Sequence, residues 1–232
     1  MVRGLLALGS VLTFAWGVSA ASADLDAVNS QLTDVADVAD VADAVEADLP
    51  SAAMQLSARL KEMHRFAARF TQAIAGGRGQ ILEQSTGYIL LDRPRFKWVV
   101  DDPYPQVIVT EGDVLKVYDP DLEQLTLRPL AEALKDTPVS LLIQEDVVLG
   151  DDYLVMRIPD EDVDSYIITP RGADTLFAEI RLEFDDAGLR SLGILDQLGQ
   201  YTKIGFQPDP DRVIQSSDFE LEVPPETDVI GG

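Results

Sequence analysis

Cysteine is absent from the 232-residue sequence, and histidine occurs once, as His64. Without cysteine the chain forms no disulfides, thiolate nucleophiles, cysteine-ligated zinc sites or iron–sulfur clusters. The same absence predicts a chain with no lipid anchor on an N-terminal cysteine. One histidine cannot build a multi-histidine metal site, and His64 stands at the end of a predicted helix, away from any Ser-His-Asp pattern. Catalytic and metal centres built on cysteine or on several histidines are therefore excluded.

Basic residues are also scarce, since 18 Lys and Arg face 41 Asp and Glu, for a net charge of -23. This balance argues against binding to a nucleic-acid backbone, which requires clustered basic side chains. It argues equally against docking on an anionic lipid surface through a basic patch. Two explanations of the charge remain open: attraction to a basic protein partner, or solubility alone.

Long apolar runs are limited to the N-terminus. Arg3 precedes the apolar stretch 4–18, and Ala21-Ser22-Ala23 offers a small-residue cleavage pattern. The stretch is too short to span a bilayer comfortably. We therefore predict a cleaved signal peptide over 1–23 and export to the periplasm, with an uncleaved anchor as the alternative.

The segment 24–48 carries eight acidic side chains and no basic one, with tandem Asp-Val-Ala units over 34–43. A period of three matches neither a helix nor a strand, because its valines drift around the surface instead of forming a stripe. We interpret 24–48 as an acidic low-complexity tether, followed by a single domain over 49–232.

Apolar periodicity in the domain changes from helical to extended after His64. Ala53, Leu56, Leu60 and Met63 recur at steps of three and four, which predicts a helix over about 51–64. Eleven strands are predicted at 66–74, 80–91, 95–101, 106–110, 114–119, 124–128, 153–158, 164–169, 176–184, 189–196 and 201–207. A helical interlude over about 129–145, broken by Pro138, separates the first six strands from the last five.

Short connections and clean alternation indicate an antiparallel sheet with one apolar and one polar face. Phe96 and Trp98, for example, share one face, whereas Arg95 and Lys97 share the other. One long helix and one broken helix offer too little apolar surface to cover eleven strands. Two arrangements remain open: a barrel filled by its own side chains, or a sheet curved around an apolar cavity with a helical lid.

No motif in the sequence predicts catalysis or a cofactor. The loop 76–79 lacks the Lys-Ser/Thr that follows a phosphate-binding glycine loop. The acidic turns 119–121 and 209–211 lack the spacing of an EF-hand. Paired carboxylates of a glycosidase remain conceivable, but no spacing singles out a pair. We predict that the protein is not an enzyme and holds neither a metal nor a cofactor.

Several stretches, in their order and spacing, resemble the LolA family of outer-membrane lipoprotein carrier proteins. They are 60–72, 87–94 followed by Phe96-Lys97-Trp98, 109–112, 118–124, Thr137-Pro138 and 224–230. The resemblance covers about 50–232. One departure is that a single residue, Arg95, separates Pro94 from the aromatic Phe96, where the family usually has two.

The resemblance implies a mainly antiparallel β fold, an incomplete, half-open curved barrel of about eleven strands with a lid of short α-helices over an apolar cavity. It implies a monomeric periplasmic chaperone whose cargo is triacylated lipoproteins. An ATP-driven inner-membrane release complex would load it, and an outer-membrane lipoprotein receptor would accept the cargo. Arg93 is the expected latch, which holds the empty lid shut by bonding to lid backbone.

The residues expected to line the lipid cavity are Leu56, Leu60, Met63, Phe66, Phe70, Phe96, Trp98, Val139 and Leu142. The sequence bears on three alternatives to the carrier. The receptor of the same fold requires an N-terminal cysteine, and an esterase or glycosidase requires a catalytic constellation. The alternative that we retain is a periplasmic lipid- or lipoprotein-sensing regulatory binding module, although such sensors carry a second domain.

Overall fold

A computed structural model describes residues 49–134, 138–144, 149–150, 152–160, 162–172 and 175–231. The predicted signal peptide (1–23) and acidic tether (24–48) lie outside the described residues, as does Thr137 at the start of the predicted lid. Three α-helices are described: α1 (Leu49–Glu62), α2 (Leu130–Leu134) and α3 (Ser140–Ile143).

Twelve strands of the described chain form one sheet. They are β1 (Arg65–Ala75), β2 (Ile81–Asp92), β3 (Arg95–Asp102), β4 (Gln106–Glu111), β5 (Val114–Asp119), β6 (Gln124–Pro129), β7 (Tyr153–Ile158), β8 (Asp164–Pro170), β9 (Phe177–Asp185), β10 (Gly188–Asp196), β11 (Tyr201–Pro208) and β12 (Asp228–Ile230). Their order is β12-β6-β5-β4-β3-β2-β1-β11-β10-β9-β8-β7, with β12 and β7 at the two edges. The sheet does not close, so the predicted incomplete, mainly antiparallel barrel is confirmed.

Alternating burial explains why one face of the sheet carries the core. In β9, Ile180, Leu182 and Phe184 are buried, whereas the Arg181 and Glu183 between them are partly exposed. We call the face that carries the large apolar cluster the inner face; it includes Phe66, Phe70, Phe96 and Trp98. Successive side chains of a strand point to opposite sides, so this alternation fixes the register of each strand.

Helix α1 covers one part of the inner face. Leu56 and Leu60 are fully buried in the core, whereas Met54 is 73% exposed on the opposite side of the helix. Arg59 forms an ion pair with Asp164 at the start of β8, and its guanidinium lies 5.4 Å from the centre of the Phe184 ring. The helix begins and ends two residues before the predicted bounds.

The outer face of the sheet is partly covered by the chain that follows β11. A short 3-10 helix (Ser216–Phe219) brings Phe219 and Ile214 against Ala67, Leu90 and Val109 of the outer face. The Arg95 guanidinium lies 4.9 Å from the centre of the Phe219 ring, and Lys97 Nζ donates to the Asp218 carbonyl at 2.7 Å. The alternation of basic residues on β3 therefore serves to anchor the C-terminal segment.

Strand β12 is an element that the sequence did not predict, whereas the helical interlude broken by Pro138 is confirmed. β12 runs parallel to β6, with Asp228 opposite Gln124. Gly231 follows it at φ +90°, and a Cβ there would lie 2.3 Å from the Leu127 carbonyl oxygen, so only glycine fits without a shift. The predicted helical interlude contains two short helices, α2 and α3, with Pro138 between them.

Candidate functional site

An apolar cavity of about 60 Å³ lies between the inner face of the sheet and the two lid helices. Its lining residues are Gln72, Phe96, Trp98, Ile108, Leu115, Leu134, Pro138, Val139, Leu142, Ile143, Leu192, Ile194 and Ile204. None of these side chains is titratable, and Gln72 is the only amide among them. The cavity therefore suits a hydrocarbon group and offers no charge to a ligand.

Stacked aromatic rings form the sheet side of the site. Phe70 and Trp98 are stacked with ring centroids 4.0 Å apart, and Phe96 lies on Trp98 at 6.5 Å. Between Phe70 and Trp98, strand β2 contributes Gly87. A Cβ at this position would lie 2.8 Å from the Phe70 ring and 1.8 Å from the Val99 carbonyl oxygen, so glycine permits the two rings to meet.

The lid side of the site is fastened through Arg93, in the turn between β2 and β3. Arg93 Nε donates to the Leu142 carbonyl at 2.8 Å, and Nη2 approaches the Leu141 carbonyl at 3.5 Å. Both carbonyls belong to the final turn of α3, where backbone acceptors lack intrahelical donors. Arg93 is held in turn, because its own backbone N–H donates to the His64 carbonyl at 3.0 Å. One guanidinium thus joins the lid to the sheet.

The structure places the predicted lining residues in two groups. Four of them, Phe96, Trp98, Val139 and Leu142, line the cavity. The shortened spacing after Pro94 leaves Phe96 buried and on the inner face. Leu56 and Leu60 of α1 and Phe66 and Phe70 of β1 are buried in the same core but do not line the cavity, and Met63 packs against that core.

Sequence reasoning missed the lining residues of β4, β5, β10 and β11, as well as Leu134 and Ile143 of the lid. Most of these are ordinary apolar residues, and their sequence carries no signal that separates a cavity wall from a packed core. Gln72 is different. It occupies an inner-face position of β1 between Phe70 and Ile74, where the alternation predicts an apolar residue.

The shifted titratable groups lie on the outer face, away from the cavity. Burial raises the pKa of Tyr88, with a further contribution from the charge of Asp101. Burial lowers the pKa of Lys97, and Asp218 partly opposes this shift. Burial also raises the pKa of Tyr201, whose ring lies over Gly193. These groups do not line the cavity.

A larger groove of about 780 Å³ contrasts with the cavity in its chemistry. Charged side chains line much of it, including Arg69, Glu183, Arg190 and Lys203. Desolvating such groups under a hydrocarbon chain is unfavourable. The smaller cavity is therefore the better candidate for an apolar ligand.

The described part of the chain contains no group of three or more His, Cys, Asp and Glu side chains placed to hold a metal. Among its helices, none combines the length and the apolar character that crossing a bilayer requires. His64 is exposed just after α1, with its Nδ1 3.0 Å from the Glu62 carbonyl oxygen.

Comparison with known proteins gives consistent matches. The profile described as outer membrane lipoprotein carrier protein LolA matches residues 61–220. An outer-membrane lipoprotein carrier protein from Chromohalobacter salexigens is 38% identical over 180 residues, which cover 77% of this chain and 86% of that protein. One from Hahella chejuensis is 37% identical over 180 residues, covering 75% and 86%. A solved LolA superfamily protein from Nitrosomonas europaea aligns with 13% identity and a TM-score of 0.43, over 73% of this chain and 98% of that one.

Proposed function

The chain belongs to the LolA family of outer-membrane lipoprotein carrier proteins, and we propose that it shields the acyl chains of lipoproteins on their way from the inner to the outer membrane. Members of this family are carriers and not enzymes. In this proposal the protein acts as a monomer in the periplasm after removal of the signal peptide 1–23. An ATP-driven inner-membrane complex loads it with triacylated lipoprotein, and an outer-membrane receptor takes the cargo.

The observation that carries the proposal is the apolar cavity under a lid fastened by one arginine. Burial of acyl chains is strongly favourable, at about 0.8 kcal/mol per methylene, so ten buried methylenes contribute about 8 kcal/mol. A chain bound this firmly escapes into water slowly. A carrier must nevertheless release its cargo to a receptor, and its affinity therefore has to be limited.

The size of the cavity supports a closed, empty state. The cavity volume of about 60 Å³ is well below the range of about 300–1,000 Å³ that small-molecule sites span. Acyl chains enter only if α2 and α3 move away from the sheet. Such movement breaks the bond between Arg93 and Leu142.

Arg93 is the proposed latch. A hydrogen bond from a charged donor contributes about 1.5–3 kcal/mol, and opening the lid gives up this contribution. The net affinity for acyl chains falls by the same free energy, because the competent open state is only partly populated. The latch thus favours release, since the lid regains its bond when the cargo leaves.

The cargo is tested by isolating the protein from the periplasm of the producing cell. Purified under mild conditions, it should carry lipoproteins identifiable by mass spectrometry. A cargo lipoprotein whose acylated cysteine is replaced by serine serves as the matched control and should be missing from the preparation. Equal recovery of the acylated and non-acylated forms would show that the acyl chains are not what the protein binds. A sensing module would bind lipoprotein as well but would fail to pass it to a receptor.

A further inference from the structure

Five polar side chains are almost fully buried in the described part of the chain. They are Gln72, Ser85, Thr110, Ser191 and Thr202. Two of them have structural bonds: the Thr110 hydroxyl accepts from the Phe96 backbone N–H at 2.8 Å, and the Ser191 hydroxyl donates to the Glu183 carboxylate at 2.5 Å. Of the remaining three, Ser85 has a hydroxyl group without a hydrogen-bond partner. This requires an explanation, because burying an unpaired polar group in an apolar core lowers stability.

Gln72, Ser85 and Thr202 lie together on the inner face, on three adjacent strands; we call them the polar belt. Gln72 of β1 stands directly opposite Ser85 of β2 and, on its other side, opposite Ile204 of β11. Thr202 is the next inner-face residue of β11 and stands opposite Ile74. Directly opposite side chains in antiparallel strands are about 5 Å apart at Cβ, so Gln72 and Ser85 are neighbours, whereas Thr202 is a diagonal neighbour of Gln72 at about 7–8 Å.

One member of the polar belt, Gln72, lines the cavity, and another, Ser85, has a hydroxyl group without a hydrogen-bond partner. Gln72 lines the cavity together with Trp98. Among the described residues, neither the Ser85 hydroxyl nor the Trp98 indole Nε1 has a hydrogen-bond partner, although both residues are only 5% exposed. Buried groups of this kind are rare in folded proteins, and an unpaired buried donor is unfavourable until an acceptor arrives.

We propose that the polar belt, with the Trp98 indole N–H, binds the carbonyl oxygens of fatty acyl esters. This inference rests on the proposed function, since it assigns the polar part of the same acyl ligand. Amide, hydroxyl and indole groups all donate hydrogen bonds, and an ester carbonyl accepts them. The hydrocarbon part of the ligand contains no acceptor and lies against the apolar wall formed by Phe96, Leu192 and Ile194.

The belt consequently gives the cavity a preference that hydrophobicity alone does not supply. An apolar pocket accepts any hydrocarbon, and its affinity follows the buried area. A pocket with buried donors disfavours a ligand that lacks the matching acceptor, because the donors then stay unpaired. The cavity should therefore discriminate acyl esters from alkyl ethers of the same chain length.

The test compares two probes bound to the full mature protein: a diacylglyceryl-cysteine peptide with two palmitoyl esters, and its dialkyl-ether counterpart. Each competes with a fluorescent apolar probe. The wild type should prefer the ester, and Gln72→Leu or Ser85→Ala should reduce the ester-to-ether affinity ratio by about 3- to 10-fold per hydrogen bond. Thr71→Val is the matched control, because Thr71 is adjacent to Gln72 but exposed on the outer face; it should leave the ratio unchanged.

Two further measurements use the wild type and one variant. The stretching frequency of a ¹³C-labelled ester carbonyl, bound to the wild type, should fall below its value in alkane, as expected for a hydrogen-bonded carbonyl. Ser85→Ala should also raise the melting temperature of the empty protein, because it removes an unpaired buried hydroxyl.

The outcomes separate this inference from the proposed function. If both probes bind the wild type with one affinity, or if the carbonyl frequency equals that in alkane, the belt does not bind esters while the carrier function stands. If neither probe binds the wild type, the carrier function fails and the ester site fails with it.

Discussion

Replacing Arg93 with leucine removes the contact that fastens the lid and keeps the size of the side chain roughly similar. The hydrogen bond from Arg93 Nε to the Leu142 carbonyl is 2.8 Å long, and the contact to Leu141 at 3.5 Å adds little. Loss of one charge-assisted bond of about 1.5–3 kcal/mol should raise the open population about 10- to 100-fold. The apparent affinity for acyl chains should tighten by a similar factor as long as the open state is the minor one.

Two assays check this prediction. Uptake of an apolar fluorescent probe should be faster in Arg93→Leu than in the wild type, because the cavity is open more often. Transfer of lipoprotein from the loaded variant to purified receptor should be slower, since lid closure no longer offsets the loss of acyl burial. Arg93→Lys should restore transfer only in part, because an ammonium lacks the planar fork of the guanidinium.

Arg95→Leu is the matched control for the latch. Arg95 is two residues away, but it faces the outer surface, where it bonds to Ser216 and Asp92 and lies over Phe219. This variant should lose some stability and keep wild-type uptake and transfer. If folded Arg93→Leu takes up the probe and transfers cargo at wild-type rates, the latch reasoning is wrong.

Four further outcomes are expected. Deleting 24–48 should leave the melting temperature nearly unchanged in a circular dichroism scan, because an acidic low-complexity segment buries little; a large drop would show that the segment packs on the domain. Phe219→Ala should lower the free energy of unfolding in urea by about 3 kcal/mol, and a loss below about 1 kcal/mol would mean that the C-terminal segment is not anchored by its ring. Burial holds the pKa of Tyr201 above its ordinary value of 10.0, so the contribution of Tyr201 to the free energy of unfolding should be present below about pH 10 and be lost as the pH rises through the folded pKa. Tyr201→Phe should reduce this loss of stability at high pH. An unchanged dependence of stability on pH would contradict the raised pKa of Tyr201. Association with the loading complex should slow as salt rises if the charge of -23 steers docking, whereas a salt-independent rate would leave solubility as the role of the charge.

The strands could be predicted because each obeys a local rule. Alternation at Phe96 and Trp98, or at Ile180 and Leu182, follows directly from a sheet with one buried face. β12 obeys no such rule, since its three residues are all exposed and its pairing depends on β6, about a hundred residues earlier. Gly231, which follows β12, lies close to the Leu127 backbone. The need for glycine at this position can be recognised only once the pairing of β12 with β6 is known.

The site was predictable where a distinctive residue type was required. The resemblance to the family singled out Arg93. The alternation within one strand singled out the aromatic residues Phe96 and Trp98. Whether an apolar residue lines a cavity or fills a core depends on how far the lid stands from the sheet, which no local pattern encodes. Leu60 and Leu142 have the same chemistry, yet only Leu142 reaches the cavity.

Gln72 shows the opposite situation, in which the sequence contained a usable signal. Inner-face positions of β1 read Phe66, Ala68, Phe70, Gln72 and Ile74, so one polar residue interrupts an apolar series. Such an interruption indicates either a buried hydrogen bond or a ligand contact.

The most direct test of the carrier function is reconstitution with purified components. The mature protein is mixed with a triacylated lipoprotein in detergent, the detergent is removed, and the mixture is analysed by size-exclusion chromatography with light scattering. If the protein is a carrier, a soluble one-to-one complex should form with the acylated lipoprotein and none with the same lipoprotein without acyl chains. Aggregation of the acylated lipoprotein, with the wild-type protein eluting alone, would contradict it.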